Sequence, residues 1–236
     1  MHARRHGLRG LCSLIVIVTL CGLTSLASAH GFAGRDAAFV ANAAGFDPVP
    51  YAYLGARHML TGYDHLLFIF AVLFFVFSVR QVLLYVTLFS LGHSFTLLLG
   101  VWMHWQFNAH VVDAFIALSV IWKAVDNLGG FRAFGWQPDN RFIIPAFGLI
   151  HGLGLATSLQ SLQPAANGLL PNLLAFNFGV ELGQLLALIA MLGALALWRH
   201  RTNFSGPAAI ATNTLVLTAG VVLLGYQLAA TAFLRS

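Results

Sequence analysis

The chain has 236 residues, 59% of them apolar and only 8% charged, with a mean hydropathy of +0.82. A soluble domain carries about 25% charged residues, so this chain has too little polar surface to cover itself in water, and a soluble globular fold is excluded. The formal charge of +5 does not mark a nucleic-acid binder: without Arg4, Arg5 and Arg9, nine Lys and Arg face seven Asp and Glu, with no basic stripe.

Residues 1–29 read as a secretory signal peptide. A basic start (Arg4, Arg5, Arg9) precedes an apolar run from Leu11 to Leu23, and Ala27-Ser28-Ala29 forms an A-x-A cleavage site. The run is shorter than the roughly 20 residues that cross a bilayer; an uncleaved anchor is the alternative. Cys12 and Cys21 both fall in this segment, so the mature chain has no thiol for a disulfide, a thiolate metal site or a nucleophile. Cleavage would make His30 the new N-terminus, its amine and imidazole a natural chelate, with a solvated polar end as the plainer reading.

Residues 30–53 form a short extracytoplasmic segment, and 54–236 a transmembrane domain. Six spans are expected near 60–79, 82–102, 109–126, 143–163, 170–198 and 208–234. Leu66 to Val79 is too short alone, so the first helix must begin near Leu60 and draw Asp64 and His65 into its outer part. Turn-rich linkers separate the later spans, and no clear repeat is visible. The expected fold is therefore all-α, a polytopic helix bundle, the form a chain of this hydropathy takes in lipid. With residue 30 delivered outside, Arg80, Lys123, Arg132, Arg141, Arg199 and Arg201 face the cytoplasm, and the outward loops 103–108 and 164–169 carry no Lys or Arg. This fits the positive-inside rule for an inner-membrane protein with both mature termini extracytoplasmic.

Ionisable residues inside spans are costly and usually functional. Asp113 and Lys123 lie near span ends and read as structural. His93, His151 and Glu181 sit about 16, 12 and 14 Å of helix from their nearer polar ends, so all three are expected at the midplane. Asn177, Glu181 and Gln184 are spaced i, i+4, i+7 and form one polar stripe. Gly148-x-x-x-Gly152 and Gly179-x-x-x-Gly183 are small-residue frames that let helices approach closely around His151 and Glu181. Ser94 and Thr96 add hydroxyls beside His93. A second constellation, His58, Asp64 and His65, lies at the expected outer mouth of the first span. His58 and His65 share a helix face, and Asp64 either joins them or orients an imidazole. Imidazole with carboxylate and no thiolate suits Ni²⁺, Co²⁺, Zn²⁺ or Cu²⁺.

These residues resemble the HupE/UreJ family of hydrogenase and urease accessory membrane proteins. The resemblance rests on His58-x5-Asp64-His65 in Gly55-Ala-Arg-His-Met-Leu-Thr-Gly-Tyr-Asp-His, on Gly92-His93-Ser94-Phe-Thr96, on Gly148-Leu-Ile-His151-Gly152 and on Asn177-Phe-Gly-Val-Glu181-Leu-Gly-Gln184. It implies a nickel permease-like protein serving nickel-enzyme maturation machinery. The better-known branch carries Phe-His-Gly-x-Ala-x-Gly-x-Glu; here Ile150, His151, Gly152, Gly154, Ala156 and Ser158 stand in those places, which is similar to the second branch.

The leading expectation is transport of a divalent transition metal, nickel first, captured by His58, Asp64 and His65 and held at the midplane by His93, His151 and Glu181 with Asn177 and Gln184. No nucleotide-binding loop is present, so no nucleotide is expected. An intramembrane zinc hydrolase is the alternative, opposed by the expected difference in depth between the two groups of residues. A haem held by His93 and His151 is the third reading.

Overall fold

Five of the six expected spans appear as single helices within a few residues of their expected bounds, and the first does not. The computed structural model describes residues 45–161, 167–201 and 206–233; the signal peptide, His30 and most of the segment 30–53 lie outside them. The helices are α1 (Pro48–Thr61), α2 (Tyr63–Leu73), α3 (Val79–Trp102), α4 (Ala109–Asn127), a single turn α5 (Gly130–Ala133), α6 (Asn140–Gln160), α7 (Leu169–Arg201) and α8 (Pro207–Phe233). No strand occurs among the described residues.

Where one helix starting near Leu60 was expected, the chain forms two. Pro48 opens α1 in the first turn, where its missing N–H costs nothing. The break falls at Gly62, whose backbone (φ −74°, ψ 91°) is extended. Gly62 N still donates to His58 O at 2.8 Å, and Leu66 N donates to Gly62 O at 3.0 Å. A single residue therefore interrupts the helix. Asp64 lies in the first turn of α2, where the helix dipole favours negative charge.

Among the described residues α3, α6, α7 and α8 are long and apolar enough to cross a membrane. Their outer faces show large apolar side chains, including Leu91 and Phe95 on α3 and Phe178 and Leu185 on α7, as a lipid solvent requires. In α4, 19 residues long, Lys123 pairs with Asp126 and the buried Asp113 accepts from Gln227 of α8.

Three close pairings organise the bundle. The α1–α2 segment runs parallel to α7 in nearly constant register. Asn172 bonds Gly45 O and Asp47 N at the start, and Arg199 donates to Leu73, Phe74 and Val76 carbonyls at the end, over sequence separations of 123 to 127 residues. The two short helices together thus cover the length of one long one. Arg199 satisfies carbonyls that the end of α2 leaves without intrahelical partners. The α3–α6 pair is also parallel, and α4–α8 is antiparallel. The glycine frames set the spacing as expected. A Cβ on Gly148 or Gly152 would overlap the backbone of Phe89 or His93, and one on Gly179 or Gly183 would overlap that of Ala52 or Ala56.

Candidate metal centre

The break at Gly62 lies beside Leu188 by the register with α7, about halfway along that helix. This overturns the expected two-tier arrangement. His58, in the last turn of α1, and His65, in the first turn of α2, are not at an outer mouth; they share a level with His93 of α3 and His151 of α6. The ring of His65 lies 5.3 Å from that of His58, 5.9 Å from His93 and 4.6 Å from His151, centroid to centroid. The reason is the helix break: α1 extends the first span at its N-terminal end by its own length along α7, so the motif moves to the middle of that helix.

His65 is the hub. Its Nδ1 lies 2.9 Å from Asp64 Oδ1, whose oxygen also accepts from His65 N at 2.8 Å. A carboxylate only accepts, so Nδ1 carries the proton and Nε2 presents a lone pair. Asp64 is thus an orienting group for the imidazole, one of its two expected roles. Gly62 backs directly onto the pair: a Cβ there would stand 3.1 Å from His65 Nδ1.

The tautomer of His151 follows from a residue absent from the sequence reading. Ser119 of α4 donates its only hydroxyl proton to Ile116 O at 2.6 Å, and its Oγ lies 3.0 Å from His151 Nε2. Oγ can then only accept, so Nε2 carries the proton and Nδ1 the lone pair. His65 Nε2, His93 Nε2 and His151 Nδ1 are all buried without a hydrogen-bond partner among the described residues. Leaving one such atom unsatisfied costs roughly 1–3 kcal/mol, and three gathered in one place call for a ligand. Phe68 and Phe89 pack against His151 at 5.2 and 5.1 Å, giving the cluster an apolar collar. The signal for Ser119 was its place as a lone hydroxyl in the apolar run of the third span.

Among the described residues no three His, Cys, Asp or Glu side chains already converge as a ligand set. The rings meet edge to face, with interplanar angles of 77° to 89° about His65. Convergence on an ion therefore requires ring rotation within the cluster.

Glu181 does not join the imidazoles, contrary to expectation. It is exposed on the outer side of α7, because the face of α7 carrying Gly179 and Gly183 is turned to α1. Its stripe neighbours do turn inward: Ser94 donates to Asn177 Oδ1 at 2.9 Å and Ser90 donates to Gln184 Oε1 at 3.0 Å. Thr96 serves as a strap, donating to Leu149 O of α6 at 2.7 Å.

A family model described as HupE / UreJ protein matches residues 34–235. No match was found among curated proteins or among solved structures.

Proposed function

The chain belongs to the HupE/UreJ family, and on that premise we propose that it is a six-pass inner-membrane permease for a divalent transition metal, with nickel the first candidate. The family handles transition metals such as nickel or cobalt in urease and hydrogenase maturation, and the apolar helices make this chain a multi-pass membrane protein. The observation that carries the reading is the cluster of His58, His65, His93 and His151 on four helical segments, with three buried ring nitrogens that have no hydrogen-bond partner among the described residues, two of them, His65 Nε2 and His151 Nδ1, presenting lone pairs. Neutral imidazoles without thiolate bind such ions well enough to capture them and loosely enough to release them. A discontinuous first span with its break at the binding site is a recurrent device of secondary transporters.

The zinc-hydrolase reading loses the depth objection but gains no base. Asp64 is engaged with His65, and Glu181 lies outside the cluster. A haem plane between His93 and His151 would displace Phe89, which packs against both rings.

The test is cellular metal content in a transporter-deficient host. Expression at a matched membrane level is expected to raise nickel or cobalt. No change in Ni, Co, Zn or Cu, with efflux checked by preloading, would remove the transport reading.

Ser119→Ala is expected to weaken Ni²⁺ binding to the purified protein by about 10–100-fold, since it releases the His151 tautomer without touching a ligand. Equilibrium dialysis reads this directly, and unchanged affinity would mean that Ser119 does not position the ring.

A further inference from the structure

The bundle contains a symmetry that its sequence hides. Moving each residue of α1 forward by 93 positions lands on α6, carrying Gly55 to Gly148 and His58 to His151. An offset of 87 carries α3 onto α7, with Phe89 falling on Phe176 and Gly92 on Gly179. An offset of 100 carries α4 onto α8, with Asp113 falling on Asn213 and Asn127 on Gln227.

The tertiary contacts obey the same exchange. A Cβ on Gly55 would strike Phe176 O and Val180 N; one on Gly148 would strike their images, Phe89 O and His93 N. A Cβ on Gly179 would strike Ala52 O, and one on Gly92 would strike its image, Pro145 O. Between α4 and α8, Asn127 donates to Asn213 Oδ1 at 2.9 Å, and the image pair, Gln227 and Asp113, is hydrogen-bonded at 3.3 Å. Burial follows too. Leu97 and its image Gln184 are buried, as are Val101 and Leu188, whereas Leu91 and Phe178 are exposed, as are Phe95 and Leu182. The pairs Ser90–Gln184 and Ser94–Asn177 make α3 antiparallel to α7. Since α1 is parallel to α7 and α3 to α6, α1 and α6 run in opposite directions. The exchange is therefore a twofold rotation across the helix axes.

We infer that α1–α4 and α6–α8 are inverted repeats, and that the metal crosses by exchange of their conformations around the His58/His151 level, Ser90 passing from Gln184 to Glu181 as Asn177 leaves Ser94. Two of the breaks in the symmetry bear on this. The α1–α2 segment is interrupted at Gly62 while its image α6 is continuous. The Ser94–Asn177 bond should be mirrored by Ser90–Glu181, yet Ser90 bonds Gln184 one turn further along and Glu181 is exposed. In inverted-repeat transporters the two halves adopt different conformations, and rocking one against the other changes which side the central site faces. Applying the twofold rotation to the present asymmetry gives the partners of the other state. Glu181 thereby acquires a role that the imidazole cluster does not give it, as a state-specific partner of Ser90.

The exchange rests on the permease reading for its purpose, but its detection does not. In full-length chain with Cys12→Ser and Cys21→Ser and a protease site in the loop 134–139, two double variants are compared: Ser90→Cys with Gln184→Cys, and Ser90→Cys with Glu181→Cys. Membrane vesicles are oxidised with iodine, cut and run without reductant. A disulfide needs Cβ atoms about 3.5–4.5 Å apart, so each pair reports its own state. Both disulfides are expected to form, and Ni²⁺ or Co²⁺ is expected to change the ratio of their yields at least threefold. Formation of the 90/184 disulfide alone, or a ratio that neither cation alters, would overturn the exchange. Uptake by the cysteine-free parent in the same vesicles separates the two readings. A ratio shift without uptake removes the permease and keeps the exchange, and uptake without a ratio shift does the reverse.

Discussion

His65→Ala is expected to lower Ni²⁺ binding by about 100-fold or more and to reduce uptake to background. Losing an orienting partner alone costs 10–100-fold, and His65 is more than that: its ring is the one that meets His58, His93 and His151. Removing it also leaves Asp64, buried at 3% exposure, without the imidazole it orients. His65→Gln, which keeps the volume and a polar end, controls for a packing defect and is expected to reach the membrane normally with binding still lost. Glu181→Leu should behave differently, leaving equilibrium binding within about twofold because Glu181 lies outside the cluster, while uptake falls because leucine cannot accept from Ser90. Equilibrium dialysis beside vesicle uptake distinguishes these outcomes. Wild-type affinity in His65→Ala would disqualify the cluster as the binding site.

The second large effect concerns assembly. Gly148→Ala and Gly179→Ala each place a Cβ inside the van der Waals envelope of a backbone carbonyl on the facing helix, Phe89 O and Ala52 O respectively. Backbone cannot turn aside as a side chain can, so the helices must separate. Overpacking of this kind costs about 1–3 kcal/mol and at times more. A lower thermal unfolding temperature in detergent is expected for both. Gly193→Ala, where a Cβ meets nothing within 4 Å, should be silent or slightly stabilising, since alanine favours helix over glycine. If Gly193→Ala and Gly148→Ala behaved alike, close backbone packing would not be what holds α3 to α6. Separation there should also weaken metal binding, because His93 and His151 lie on the two helices concerned.

Much of the fold was legible because lipid leaves few choices. Apolar runs of about 20 residues bounded by turn residues must be helices, and the bounds of α3, α4, α6, α7 and α8 fall within a few residues of expectation. The small-residue frames announced close approach, and both deliver it. The first span was misread for a physical reason. Pro48 to Thr61 is too polar to score as a span, with Arg57 and His58 in it, yet it packs along α7 by backbone proximity through Gly55, which hydropathy does not record. For that reason hydropathy separates His58 and His65 from His93 and His151, which the structure brings to one level. The reading of Glu181 failed differently: its stripe with Asn177 and Gln184 is real, but a helix stripe has width, and the middle member falls on the outer edge.

The sequence by itself determined that the chain is a helical membrane protein of the HupE/UreJ family, and that the helices carrying His58, Asp64, His65, His93, His151 and Glu181 contain no cysteine. These depend on composition and local periodicity, which act within one segment at a time. Only the tertiary structure decided that four imidazoles form one cluster, that Ser119 fixes a tautomer in it and that Glu181 stands apart. It alone also related the two halves by rotation. Those facts depend on the depth and rotation of each helix against its neighbours, set by where backbones interlock at Gly55, Gly92, Gly148 and Gly179, and a glycine in a sequence does not say which helix it will meet.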